Sequence, residues 1–136
     1  MPHPEFSPGF RLSAFDVFLL AAGGFGAWFV WSRTWWLGFV IAFVFGHFFL
    51  FCNVFRMSRG LELIWAAVFV VLTRFTVTSG RPSWTTTVLV SLAATTVLVC
   101  IELQKDSYHG FGWSRINPNL RRWWDARLAQ RTQPSE

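Results

Sequence analysis

Charge is what this sequence has least of, and it is missing where a soluble protein would need it. No Asp, Glu, Lys or Arg occurs between Trp35 and Phe55, and these four residue types make up 14% of the chain, against about 25% in an ordinary soluble domain. The shortage excludes a water-soluble globule. Sixteen Phe and nine Trp are more than a soluble core of a 136-residue chain can enclose, so lipid is their natural solvent. Cysteine is almost absent: Cys52 and Cys100 each lie within an apolar run and no C-x-x-C occurs, which excludes a locally encoded zinc ribbon or thiol redox pair. They read as small apolar residues. The first apolar run has no small-x-small cleavage pattern behind it and is read as a retained helix rather than a signal peptide. The net charge of +5 does not indicate nucleic acid as a partner, because the basic residues are scattered at the ends of apolar runs, where anionic lipid headgroups would meet them.

What is present is a series of long apolar segments. Residues 1–14 form a proline-rich, flexible lead, and four spans follow at about 15–31, 35–55, 61–77 and 84–103. At a rise of about 1.5 Å per residue each crosses, or nearly crosses, a hydrocarbon core of about 30 Å. The turns between them, Ser32 to Thr34, Arg56 to Gly60 and Thr78 to Ser83, are short enough to impose antiparallel neighbours. Residues 104–136 form a polar tail. Within it, Asn117 as a cap and Pro118 at the first helical position open an amphipathic helix over about 118–131. Leu120, Trp123, Trp124 and Leu128 share its apolar face, and Trp123, Trp124, Arg121 and Arg122 are the residues expected at the membrane surface. The predicted fold class is therefore an all-α integral membrane protein, a four-transmembrane-helix bundle with a C-terminal amphipathic interfacial helix.

Orientation follows from charge. Nine Lys and Arg residues fall on the side of the lead, the second turn and the tail, against three on the other side, which predicts a multi-pass inner (plasma) membrane protein with both termini cytoplasmic.

Small residues recur every fourth position on two of the spans. Gly38, Ala42 and Gly46 on the second match Thr87, Ser91 and Thr95 on the fourth in distance from the leading tryptophans, Trp35 and Trp84. The equal depths suggest that the two ladders face each other across the bundle, the alternatives being packing on a sequence neighbour or on another copy. The first span carries two such pairs, Ala22 with Gly26 and Gly23 with Ala27, on adjoining faces.

Candidate chemistry is sparse. His47, the one histidine within a span, points about 140° away from the small-residue ladder at 100° per residue. It is the residue that would bind a haem or chlorophyll-type pigment as an axial ligand; without a second intramembrane histidine, a neutral imidazole bonded to a backbone carbonyl is the favoured alternative. At the cytoplasmic edge Asp16, Asn53, Arg56, Arg59, Glu62 and Glu102 form a polar cluster, read either as an ion or headgroup pocket or, preferably, as charges that fix helix ends. No metal site and no catalytic constellation is encoded.

The stretch GGFGAWFVWSR at residues 23–33 resembles the glycine-rich, arginine-ended start of the small fluoride channels, but the asparagine-glycine and threonine-phenylalanine-serine motifs of that family are missing. Small multidrug exporters place a glutamate within their first helix, where this chain has only Asp16 at the edge. The expected function is a non-catalytic accessory, assembly or interaction subunit of a membrane complex. A small transporter or channel and a pigment-binding subunit using His47 are the alternatives. The expected partners are the bilayer, its anionic headgroups, and other membrane subunits or a second copy.

Overall fold

The computed structural model describes residues 5–132. Residues 1–4 of the expected lead and 133–136 of the expected tail lie outside the described residues. Among those described, every regular element is helical: α1 (Ala14–Trp31), α2 (Trp35–Phe49), α3 (Arg59–Ser79), α4 (Trp84–Leu103), the single turn α5 (Trp113–Ile116) and α6 (Leu120–Thr132). A π-helical turn, Leu50–Val54, extends α2. Counting that turn with α2, the first four helices have 18, 20, 21 and 20 residues and are long and apolar enough to cross a membrane. At about 1.5 Å per residue they measure about 27 to 32 Å, the thickness of a bilayer core. The chain is an all-α membrane protein with four candidate spans.

By its internal packing the chain divides into two compact units, one comprising the chain up to Arg56 together with the residues from His109 onward, the other running from Met57 to Tyr108. Each is built on one helical hairpin.

In the first unit, α1 and α2 pack through small residues. Gly23 and Ala27 are the buried positions of α1, and Gly38 is buried on α2. A Cβ on Gly38 would lie 2.5 Å from the backbone nitrogen of Trp31, so only glycine lets the chain return this closely. Gly23 faces the ring of Phe45 in the same way, at 2.6 Å. α1 starts in a capping box: Ser13 Oγ accepts from the Asp16 amide, and the Asp16 carboxylate accepts from the Ser13 amide at 2.8 Å.

The end of α2 is where lead and tail meet. In the π turn the Phe55 amide steps back to the Leu50 carbonyl, and the C-terminal carbonyls of Asn53 and Val54 accept from the amides of Arg11 (3.2 Å) and Phe111 (2.7 Å). Gly9 N–H also donates to the His109 carbonyl at 2.7 Å. A helix end in or near lipid must satisfy its orphan carbonyls within the protein, and the lead and tail supply those donors. Backbone bonds from Gly9 and Arg11 tie the lead to the tail and to the end of α2.

The second unit is held by polar groups. Thr87, Ser91 and Thr95 are buried on α4 and face Trp65 and Thr76 of α3. Trp65 stacks on Phe69 at 5.2 Å and 9°, one turn along the same helix.

Several helix ends differ from the sequence expectation. α3 begins at Arg59 because Ser58 has the extended conformation of an N-cap, which places Gly60 inside the first turn instead of at the end of a loop. It ends at Gly80, whose φ of 67° is left-handed and open to glycine without a steric cost. α6 begins at Leu120, two residues later than expected: the Leu120 amide bonds to the Asn117 carbonyl and the Trp123 amide to that of Asn119, so Asn117–Pro118–Asn119 is spent on a turn. The single turn α5, launched by Gly112 at φ 71°, has no counterpart in the sequence reading.

Candidate functional site

The polar side chains singled out from the sequence separate into several local structures. His47 is buried on α2, and its Nδ1–H donates to the Phe43 carbonyl one turn back at 2.9 Å. Side chains on a helix lean towards its N-terminus, which brings the imidazole of position i to the carbonyl of i−4. Its ring lies 4.3 Å from that of Phe43 and 5.8 Å from that of Phe51. Since a carbonyl can only accept, the proton is on Nδ1. The seat is that of the carbonyl-bonded imidazole, set among aromatic rings of its own helix.

The six residues of the expected edge cluster fall into both units. In the first, Asp16 closes the α1 capping box, Asn53 presents its backbone carbonyl to Arg11, and Arg56 Nη1 donates to the Ser7 carbonyl at 2.7 Å. Arg56 has a φ of 49°, uncommon for a residue with a Cβ, at the point where the chain leaves α2. Burial, and after it the charge of Arg11, push its pKa below the ordinary arginine value. In the second unit, Arg59 and Glu62 lie in the first turn of α3, where the helix dipole favours the carboxylate.

Glu102, the last member, belongs to a tighter constellation. Its buried carboxylate accepts from Lys105 Nζ at 2.6 Å and from Ser58 Oγ at 3.4 Å, and Lys105 Nζ also donates to Ser58 Oγ at 3.0 Å. Tyr108, almost fully buried, has its phenol pKa raised by burial and by the Glu102 charge. A serine beside a lysine invites comparison with a nucleophile and its base. The geometry does the reverse: Lys105 acts as a cation shared by Glu102 and Ser58, and a hydroxyl that receives a proton from an ammonium is not activated. The cluster fastens the start of α3 to the end of α4. Sequence reasoning passed over Ser58 and Lys105, although the three-residue spacing of Glu102 and Lys105 across the end of α4 was a readable sign. Ser13 was missed likewise, with Ser-x-x-Asp as its signal.

The small-residue ladders lie in different units, the second-helix ladder in the first and the fourth-helix ladder in the second, and each has its own role there. Only Gly38 is used in helix packing; Ala42 and Gly46 are exposed, and a Cβ on Gly46 would meet nothing within 4 Å. The fourth-helix ladder is buried but pairs with its sequence neighbour. Ser91 Oγ and Thr95 Oγ1 each donate to the carbonyl four residues back, and Trp65 Nε1 donates to Thr95 Oγ1 at 2.9 Å and to the Ser91 carbonyl at 3.2 Å. The Thr95 hydroxyl gives the indole an acceptor that Gly or Ala could not, while the acceptor at Ser91 is its backbone carbonyl.

Of the surface residues expected on α6, Arg121 lies over the ring of Phe6 at 5.7 Å, and Trp124 meets that ring edge-on at 5.7 Å. Trp113 also meets this ring edge-on, at 5.8 Å and 89°. Phe6 thus binds the lead to α5 and α6. Leu120 is buried, Trp123 and Trp124 are half-buried, and Arg122 is exposed.

No protein-family model, curated protein or solved structure matches this chain. Function therefore has to be argued from these residues alone.

Proposed function

We propose that this protein is a non-catalytic subunit of the inner (plasma) membrane, with both termini cytoplasmic, that assembles with other membrane proteins through α1. The observation that carries this reading is the contrast between the two small-residue pairs of α1. Gly23 and Ala27 are consumed by α2, whereas Ala22 is exposed and a Cβ on Gly26 would meet nothing within 4 Å. This second pair is bordered by Phe18, Phe25 and Phe29, which are 65%, 65% and 52% exposed. Small residues four apart on a membrane helix let another backbone approach, and the flanking rings supply dispersion contacts that lipid tails match poorly. The orientation rests on the excess of Lys and Arg on the side of the lead and tail. The polar groups of the spans support the same reading, since Thr87 and Thr95 of α4 bond to α3 and His47 bonds to a carbonyl of its own helix.

In-membrane photocrosslinking from position 22 tests it. The expected result is an adduct with a second membrane protein that disappears in Gly26→Leu and persists in Gly46→Leu. Adducts with lipid alone, together with purification from mild detergent as a lone monomer, would refute it, and an adduct at twice the mass of the chain would reassign the partner to a second copy.

A further inference from the structure

The four arginines of α6 do different work. Arg121 is committed to Phe6, and Arg122 points away from the apolar side. Arg127 and Arg131, by contrast, line a surface groove of about 140 Å³ with Trp123, Trp124 and Leu128. Arg127 lies over the Trp123 ring, with Cζ 4.9 Å from the centroid, a cation–π contact that leaves guanidinium N–H groups available. Among the described residues neither Arg127 nor Arg131 has a carboxylate within ion-pairing distance.

The groove also has a defined level in the first unit. α6 is joined through Trp124 to Phe6, and the same lead donates from Arg11 to the Asn53 carbonyl at the end of α2, while Phe111 donates to that of Val54. These bonds hold α6 near the point where a membrane-spanning helix stops, which is the depth of lipid phosphates. Indole rings favour that layer, and Leu128 beside them offers a surface to the first carbons of an acyl chain.

We propose that this groove is a binding site for one anionic phospholipid, its phosphodiester held by Arg127 and Arg131 and its upper chain resting on Trp124 and Leu128. Two guanidiniums with free N–H edges match phosphate oxygens in charge and geometry.

Native mass spectrometry of the full chain in neutral detergent, titrated with phosphatidylglycerol or phosphatidylcholine, tests the site. The wild type is expected to retain one phosphatidylglycerol in preference to phosphatidylcholine. Arg127→Gln/Arg131→Gln is expected to lower that retention about tenfold or more, as loss of two basic groups at a membrane surface implies. Arg122→Gln should leave it unchanged, and circular dichroism should show equal helix content in all three proteins. Equal retention of the two lipids by the wild type, equal losses in the Arg122 and Arg127/Arg131 variants, or displacement of the lipid by millimolar inorganic phosphate would overturn the proposal. The same variants leave the α1 crosslink of the proposed assembly role intact, so the two readings fail separately.

Discussion

The hydroxyl pair between α3 and α4 makes an asymmetric prediction. Thr76 Oγ1 donates its one proton to the Leu72 carbonyl at 2.9 Å, so in the 2.6 Å contact with Thr87 Oγ1 the proton belongs to Thr87. Both residues are buried, Thr87 completely. Thr76→Val removes the acceptor and strands the Thr87 proton, which costs about 1 to 3 kcal/mol in a buried site. A swing of that hydroxyl to the carbonyl four residues back reduces the loss to about 1 to 2 kcal/mol, in line with membrane interhelical bonds of up to about 1.7 kcal/mol. Thr87→Val leaves Thr76 bonded to Leu72 and should cost only about 0.5 kcal/mol, the low end for a net hydrogen bond. The double variant has the same shape with neither hydroxyl. It should be no worse than Thr76→Val and lie close to Thr87→Val, giving a coupling of about 1 kcal/mol. Unfolding of the four proteins in mixed detergent micelles, followed by circular dichroism, measures the cycle. A Thr87→Val loss as large as that of Thr76→Val, or a double variant equal to the sum of the singles, would refute the proton assignment.

Gly38→Ala places a methyl against the Trp31 backbone and should destabilise the first hairpin by about 1 to 3 kcal/mol, while Gly46→Ala, which meets open space, should have no such effect in the same unfolding measurement. Thr73 has a buried hydroxyl without a hydrogen-bond partner, so Thr73→Val is expected to be neutral or stabilising by up to about 1 kcal/mol. Tyr108 is the single tyrosine, and a raised phenol pKa means that the unfolded chain ionises first, from about pH 10 upward. Its effect on stability is therefore absent below that pH and turns destabilising as pH rises towards the folded value; Tyr108→Phe should flatten this alkaline loss, and the phenolate absorption of the wild type should appear above pH 10.

The sequence by itself determined the class and the number of long apolar helices. Residues 35–55 without a charge, and similar runs on either side, leave the backbone no partner in lipid except itself, so each run becomes a helix whatever lies beside it. Short turns then made α1 and α2, and α3 and α4, antiparallel neighbours. Periodicity located the small residues of both ladders, and the isolation of His47 within a span was visible as well. Spacing along one helix does not state what stands opposite, however. Only the tertiary structure decided that Gly38 is a contact and Gly46 is not, that Trp65 donates to the Thr95 hydroxyl of α4, and that Asp16, Asn53 and Glu102 close three separate local structures. It also decided the fate of the lead: proline-rich and extended in sequence, it is fixed because the end of α2 has carbonyls that need donors, and Arg11 and Phe111 bring them. The division has one physical cause. Desolvating the backbone is a local demand that a run of apolar residues answers alone, whereas satisfying a side chain or a helix end requires a partner that may be dozens of residues away along the chain.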